Sequence, residues 1–333
     1  MELVPRDPLV EISKVLRLED ILSLATSNNS ISRLLLSPQT NKDLANYFAF
    51  PYNLSYQELK LYEKMSPIER LLEASKLGDE RVVKKLLELY EFIEWDYIDA
   101  AKAASRNGRL SIVKTMLERG VPDYINLITP AIKGKHFETF KYLYGTKEYS
   151  IGSYNAMFLD ASQSGNLEVV EFLIEDQGIE SFKRSSIVEA FSFSAVNIET
   201  FNFFLSLGKM LDLKIPESLG DSIYTKDDYS YALAIAARAG NNEIIETLLD
   251  IGKNIFNFSD YTAAMNYAAE GGYIELFNKF LTLAQNSKGP HPMYEWNPKN
   301  LPYFNEALLK ANSGGHIELA KHILKLKEKQ RVK

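Results

Sequence analysis

The fold is decided by a stretch that reads Asn107-Gly108-Arg109-Leu110-Ser111-Ile112-Val113-Lys114-Thr115-Met116-Leu117-Glu118-Arg119-Gly120. Upstream of Gly108, an alanine-rich helix-forming segment ends at Ala104. Downstream, the apolar residues Val113, Met116 and Leu117 have the i, i+3, i+4 spacing of one helical face, which has to be buried. Glycine permits the left-handed backbone that ends a helix. The stretch therefore predicts two short helices joined at Gly108.

The frame around Gly108 recurs along the chain. An alanine lies four residues before the anchor glycine, and apolar residues lie five, eight and nine residues after it. The other glycines that fit this frame are Gly78, Gly165, Gly240, Gly272 and Gly315. Weaker copies are anchored on Lys135 and Val196, so the sequence predicts eight units with a period of about thirty residues. Two insertions, at about residues 209–228 and 286–300, are interpreted as contact loops or simple links.

Local signals predict where the helices begin and end. Ser66-Pro67 followed by Glu69 has the form of a capping box with proline at the first helical position. Serine accepts hydrogen bonds at an N-cap, and glycine ends helices. The further predicted N-caps are Ser153 and Ser259, and the predicted ends of second helices are Gly120, Gly208 and Gly252.

Two of the recurring stretches, 107–120 and 164–173, resemble the second half of an ankyrin repeat. The resemblance extends over about residues 66–328 and implies an all-α fold, an ankyrin-type helical solenoid of about eight short degenerate repeats with a small N-terminal helical motif. The longer tetratricopeptide and HEAT repeats are the nearest alternatives. The family's Thr-Pro-Leu-His opening is absent, and the short units leave little room for hairpin fingers. A binding surface is therefore expected on the first helices and the loops before them.

The first 50 residues do not fit the repeat frame. Their apolar pattern resembles an F-box over about residues 3–48, although Ser27 stands where that family usually has valine and Ile31 where it often has tryptophan. The resemblance implies binding to a Skp-family adaptor of cullin ubiquitin ligases. The anchors carried over from the family are Pro5, Leu9, Ile12, Leu16, Ile21 and Leu22. The alternative is a helical cap that shields the first repeat. Residues 51–65 would then be a connector and residues 66–333 the ankyrin-repeat array.

Aromatic residues cluster where the first helices begin, and they are candidates for contact with a target protein. Interfaces favour Tyr and Trp because these side chains supply large, rigid contact area with a polar group. The predicted target-binding residues are Trp95, Tyr97, Tyr124, Tyr154, Tyr231, Tyr261 and Tyr303. The alternative is that such rings fill the gaps between repeats that hairpin fingers would otherwise occupy.

The sequence offers no motif for catalysis or metal binding. Cysteine is absent, which excludes disulfides and thiolate sites. His316 and His322 are six residues apart, which is not the i, i+4 spacing of zinc hydrolases. We therefore predict a protein that is not an enzyme and that uses neither a metal nor another cofactor.

Charge and hydropathy narrow the expected partners. A net charge of −6 opposes docking on nucleic acid, because that affinity depends on Lys and Arg. The basic stretch Lys321 to Lys333 is interpreted as a solvated helix end whose cations suit the helix dipole. No run of 18 apolar residues and no secretory signal are found. We therefore expect a protein without membrane partners that is cytoplasmic or nuclear, in a host cell if it is viral or an effector.

These predictions lead to two hypotheses about function. In the first, the chain is a protein-binding adaptor whose F-box-like motif binds a Skp-family adaptor while its repeats hold an unknown target protein for ubiquitination. Outside such complexes it is expected to be a monomer. This combination resembles proteins of large DNA viruses and of some intracellular bacteria. In the second, the chain is a scaffold or a virion-associated structural protein with no ubiquitin-ligase role.

Overall fold

The computed structural model describes residues 65–121, 125–146, 148–212, 222–287 and 302–331. Within these ranges the protein is all-α, since 80% of the residues are helical and no strand is found. The F-box-like segment, nearly all of the connector, and residues 213–221 and 288–300 of the two predicted insertions lie outside the described residues. The chain divides into two compact units, Met1–Pro130 and Ala131–Lys333. This division was not predicted from the sequence.

Sixteen α-helices are found among the described residues, and they alternate as the repeat frame predicts. Unit 1 contains α1 Pro67–Leu77, α2 Glu80–Leu89, α3 Glu94–Arg106, α4 Leu110–Glu118 and the beginning of α5 Ile125–Lys133. Unit 2 contains α6 Phe137–Tyr144, α7 Ile151–Ser164, α8 Leu167–Gln177, α9 Arg184–Ser194, α10 Ile198–Asp212, α11 Lys226–Ala239, α12 Asn242–Ile251, α13 Phe258–Gly271, α14 Ile274–Asn286, α15 Pro302–Ser313 and α16 Ile317–Arg331. A single 3-10 turn, Ile179–Ser181, follows α8.

Within each unit the first helices of successive pairs contact one another. In unit 1, α1 packs on α3, and in unit 2, α7, α9, α11, α13 and α15 each pack on the next in that order. First helices also pack on their own second helices, as in α1 with α2 and α13 with α14. Short helices of 8–15 residues are therefore stabilised by their neighbours along the chain.

The core follows the repeat frame. The positions five and eight residues after the anchor are buried in all eight units, including Phe140 and Leu143 of the Lys135 unit and Phe201 and Phe204 of the Val196 unit. The position four residues before the anchor is likewise buried in every unit. The position nine residues after the anchor is different, because it is half-buried in most units and 44% exposed at Leu324. The predicted face is therefore confirmed at two of its three positions.

The anchors adopt the backbone that the sequence predicts. All six anchor glycines have positive φ, between 64° and 84°. Lys135 replaces glycine in the third repeat unit along the chain and still has φ of 59°, a conformation that costs a non-glycine residue about 1 kcal/mol or more. The Val196 unit turns differently, because its helix α9 ends at Ser194 and the following residue, Ala195, is not left-handed. Asn197 caps α10 by accepting from the Thr200 amide at 3.0 Å.

Several predicted helix ends are confirmed and others are displaced. Ser66 and Glu69 form the predicted reciprocal capping box, and Gly252 directly follows α12. The prediction for Gly208 was wrong, because α10 continues to Asp212 and the Tyr224 ring packs against the glycine. The remaining N-caps lie two or three residues earlier than predicted, at Ser150 for α7 and Asn257 for α13.

The side chain that follows an anchor joins its helix pair to the preceding pair. The Tyr273 hydroxyl donates to the Ala239 carbonyl at 3.1 Å, and Nε2 of His316 donates to the Glu270 carbonyl at 3.0 Å. Both carbonyls lie in the last turn of a first helix, where no intrahelical donor is available. The corresponding bonds elsewhere join Arg109 Nε to the Lys76 carbonyl and Asn166 Nδ2 to the Ile132 carbonyl.

Such side chains also lie over the preceding anchor glycines. A Cβ added to Gly240 would lie 2.3 Å from the Tyr273 ring, and one added to Gly165 would lie 2.5 Å from Cβ of Asn197. The other covered anchors are Gly78, under Arg109, and Gly272, under His316. Glycine is thus required at these positions for a second reason, close approach of the next pair, in addition to its left-handed φ.

Candidate protein-binding surface

The residues predicted to bind an adaptor are not described by the structure. Pro5, Leu9, Ile12, Leu16, Ile21 and Leu22 all lie outside the described residues, as does the target-binding candidate Tyr124. Tyr303 belongs to α15, but its side chain is not described. The surface is therefore built from the remaining candidates and their neighbours.

Four tyrosines at the starts of first helices pack on an aromatic residue five positions upstream. Each pair is arranged edge to face, with ring centroids 6.1–6.2 Å apart, a geometry that aromatic rings favour. The pairs are Phe92 with Tyr97, Tyr149 with Tyr154, Tyr224 with Tyr229, and Phe256 with Tyr261. This arrangement supports the alternative interpretation, in which these rings fill the space beside the loop that precedes each first helix.

The pairs explain which candidate aromatics are unavailable to a partner. Tyr261 is only 9% exposed, so its ring belongs to the packing beneath the loop and not to the surface. Tyr97 and Tyr154 are half-buried in the same way. Trp95 differs, since it is 68% exposed at the start of α3 in unit 1, close in sequence to Ile93, which is 65% exposed.

Tyr231 on α11 is the exposed candidate in unit 2. Its side chain is 42% exposed, and its ring lies 6.4 Å from the ring of Phe193 on α9. Partial burial raises the pKa of the Tyr231 hydroxyl, which therefore stays protonated and able to donate a hydrogen bond at neutral pH.

Tyr267 on α13 lies between two cations from the neighbouring first helices. The guanidinium of Arg238 on α11 lies 5.7 Å from the ring centroid, and Nζ of Lys310 on α15 lies 5.0 Å from it. The carboxylate of Glu270, one turn along α13, is 2.6 Å from Lys310 and 3.6 Å from Arg238. Phe193, Tyr231, Arg238, Tyr267, Glu270 and Lys310 are named here the first-helix strip.

The sequence matches no protein-family model and no curated protein. The first-helix strip is therefore interpreted from its own geometry.

The ion pairs hold the charges of the strip in place. The hydrogen bond from Lys310 lowers the pKa of Glu270, and the same bond raises the pKa of Lys310. Both groups are consequently ionised at neutral pH, and Arg238 adds a second cation beside the same carboxylate. A partner would meet an aromatic and charged surface whose side chains are already restrained, which reduces the entropy lost on binding.

Only one residue of the strip, Tyr231, was predicted from the sequence. The predicted aromatic residues stand at the starts of first helices, whereas Arg238, Tyr267 and Glu270 lie in the later turns of these helices. A signal was present, because these large side chains stand beside alanines in the alanine-rich later turns of α11 and α13. Which of them face each other depends on the packing of α11, α13 and α15, which the spacing of one helix does not reveal.

The described residues contain no group of three His, Cys, Asp or Glu side chains that could hold a metal ion. His316 bonds the Glu270 carbonyl, and His322 bonds the Asn278 side chain at 2.9 Å, so both histidines take part in packing between helix pairs. None of the described helices is both long enough and apolar enough to cross a membrane.

Proposed function

We propose that the chain acts by binding proteins and that the first-helix strip of unit 2 is the surface that holds a target protein. The observation that carries the proposal is the arrangement of Tyr267 between Arg238 and Lys310, with Tyr231 and Phe193 alongside. Tyrosine and arginine are the residue types enriched among the side chains that dominate binding energy at protein interfaces. The strip combines them on four neighbouring helices.

The proposal includes an ankyrin-type fold for the repeat array. It is supported by the left-handed glycine between the two helices of a pair, by first helices that pack on one another, and by buried positions that recur with the repeat frame. In such an array the first helices offer a surface that grows with the number of repeats. The edge-to-face aromatic pairs would stand in for the hairpin fingers that the short units lack.

The proposal also retains a link to ubiquitin ligases. The F-box-like pattern at residues 3–48 would bind a Skp-family adaptor, and the strip would present the bound target to the ligase. This part rests on the sequence pattern alone, since the segment lies outside the described residues.

The strip is tested by replacing Tyr231 and Tyr267 together with alanine in the full chain. Proximity labelling in host cells, quantified by mass spectrometry, compares this variant with wild type and with Met210→Ala, a control at an exposed apolar residue at the end of α10. Loss of two interface tyrosines is expected to weaken target binding by about 2–4 kcal/mol, or at least about thirtyfold. Labelling that is identical for all three proteins would exclude the strip as the target site.

The ligase link is tested separately with purified Skp-family adaptor. The wild-type chain is expected to bind the adaptor, and Leu9→Asp combined with Ile21→Asp is expected to abolish binding, because charges in an apolar groove are costly to desolvate. Circular dichroism confirms that the variant keeps its helices. If wild type does not bind, or if a folded variant binds equally well, the scaffold hypothesis replaces the receptor hypothesis.

A further inference from the structure

The face formed by α15 and α16 carries three exposed apolar side chains, and one of them stands at a position that is buried in the preceding pairs. Leu309 is 68% exposed, whereas the residues six before the anchor in the three preceding pairs are buried, with at most 4% exposed. Those residues are Ala190, Ala234 and Asn266. Ile317 and Leu324, which are 66% and 44% exposed, complete what is named here the end face.

The equivalent face of another second helix shows what packs on such positions. Phe137 and Tyr144 stand two and nine residues after their anchor on α6, and both contact Phe172 of α8, with ring centroids 5.6 and 5.2 Å apart. Ile317 and Leu324 occupy the same two positions on α16. Between them, by the same geometry, is a site for one large apolar side chain from a helix.

The anchor of the last pair supports the same conclusion. Gly315 has φ of 76°, and no described atom lies within 4 Å of a Cβ built on it. Gly165, Gly240 and Gly272 are instead covered by a side chain of the next pair. Leu309, Ile317 and Leu324 are three large apolar side chains exposed on one face, and a patch of this kind indicates a contact surface.

The charge of the end face indicates the chemistry of what covers it. Lys321, Lys325 and Lys329 are exposed along α16. Lys321 stands at the repeat position of Glu246, whose carboxylate pairs with Lys279 on the following second helix. Lys321 carries a positive charge where Glu246 carries a negative one, so the group that pairs with Lys321 on a covering helix would be a carboxylate. Lys321 does pair with Glu318, but both side chains are at least 60% exposed and such a pair is weak.

We propose that the end face binds an acidic amphipathic helix of a partner protein, with one apolar side chain inserted between Ile317 and Leu324 and a carboxylate on Lys321. A second copy of this chain is disfavoured as the occupant, because two end faces in contact would bring the lysines of one α16 against those of the other. The end face shares only α15 with the first-helix strip, so the two surfaces can be tested independently.

The chain itself supplies a suitable probe in the sequence of α8. A hydrocarbon-stapled peptide with the sequence Leu167–Gln177 carries Phe172 on its apolar side and the carboxylates Glu168, Glu171, Glu175 and Asp176. Fluorescence anisotropy with the full-length chain is expected to show saturable binding. Leu309→Asp combined with Leu324→Asp should weaken that binding at least about tenfold, while Met210→Asp leaves it unchanged. Peptide variants with Phe172→Ala, or with all four carboxylates changed to lysine, should also bind at least about tenfold more weakly.

Because the chain contains no cysteine, a disulfide provides a second measurement. In a mixture of reduced and oxidised glutathione, a peptide with Asp176→Cys is expected to form a mixed disulfide with a Leu324→Cys chain in preference to a Met210→Cys chain, because Asp176 of α8 contacts Tyr144 at the repeat position of Leu324. No saturable binding, equal binding to the end-face variant, or equal trapping at both cysteines would overturn the proposal. So would a wild-type dimer in sedimentation velocity that Leu309→Asp combined with Leu324→Asp converts to monomer, since a second copy would then cover the face.

Discussion

At the scale of single residues, the anchor glycines combine two requirements that the repeat frame does not separate. Their φ is positive, and most of them lie under a side chain of the following pair. Comparing Gly165 with Gly315 separates the two requirements, because both have positive φ but only Gly165 lies under a side chain of the following pair. The covering atom is Cβ of Asn197, which cannot move away without its backbone.

We expect Gly315→Ala to lower the free energy of unfolding by about 1 kcal/mol, the cost of a left-handed alanine. Gly165→Ala should cost about 2–4 kcal/mol, because overpacking against Asn197 is added to the same strain. Urea unfolding followed by circular dichroism measures both values. Equal losses for the two variants would show that close approach contributes nothing.

The ion pair of Glu270 and Lys310 gives a prediction about pH. The pKa of Glu270 is lowered in the folded state, so its contribution to stability is present above its unfolded pKa and is lost as pH falls through the folded pKa. Glu270→Gln is therefore expected to cost about 0.5–1 kcal/mol at pH 7 and almost nothing near pH 2.

The measurement for this prediction is urea unfolding of wild type and variant across that pH range. Glu171→Gln, which removes the same charge from an exposed position in the middle of α8, serves as the control and should have little effect at either pH. A difference between wild type and Glu270→Gln that persists at pH 2 would assign the effect to packing and not to charge.

At the scale of elements, the helix pair is completed by the loop that precedes it. In four of the repeats, an aromatic residue of that loop packs edge to face on the tyrosine in the first turn of the following helix. The repeated distance and orientation indicate that the loop is held at a fixed angle to the helix. Phe256 also lies against Gly252, where a Cβ would be 2.2 Å from its ring.

A double-mutant cycle tests whether this pair stabilises the fold beyond its buried area. Phe256→Leu and Tyr261→Leu are expected to show a coupling of about 0.5–1.5 kcal/mol in the free energy of unfolding. Phe256→Leu and Phe182→Leu form the control cycle, because Phe182 stacks on Phe158 two helix pairs away and the effects should add. A coupling near zero for the first cycle would show that the two rings stabilise the fold only through the apolar area that each buries.

The helix pair is also where the sequence was most informative. One frame located all eight junctions, even where Lys135 replaces glycine, because burial of the positions five and eight residues after the anchor is a property of a single helix. The end of α10 was wrongly predicted at Gly208, although the helix continues to Asp212. Glycine is needed at this position because the ring of Tyr224, sixteen residues later, packs against it, and not because the helix ends there. The first-helix strip was largely missed for the same reason, since Arg238, Tyr267 and Lys310 meet only after three helices have packed.

At the scale of the whole molecule, contacts within each unit link elements that are close along the chain. In unit 2 each first helix contacts the first helix of the next pair and its own second helix. Stability in such an architecture is carried by nearest neighbours. A defect should therefore have its largest effect on the adjoining pairs.

Hydrogen exchange measures this locality within unit 2. Phe280→Ala, at a fully buried side chain of α14, should cost about 3–5 kcal/mol and accelerate amide exchange most in α13 to α16. Leu173→Ala, at a fully buried side chain of α8, should give the reverse pattern, with the largest change in α7 and α8. If both variants accelerate exchange equally throughout unit 2, the unit unfolds as one cooperative block.

The contact between an anchor glycine and the side chain that covers it has a consequence for how the gene can evolve. The two partners stand about one period apart, as Gly240 and Tyr273 do, so an in-frame duplication of one period copies a new glycine together with a new covering residue. The inserted helix pair therefore keeps the glycine contact with the pair on each side of it. Lineages can therefore lengthen or shorten the array by whole pairs in a single genetic event, whereas a duplication that is not a whole number of periods separates the partners.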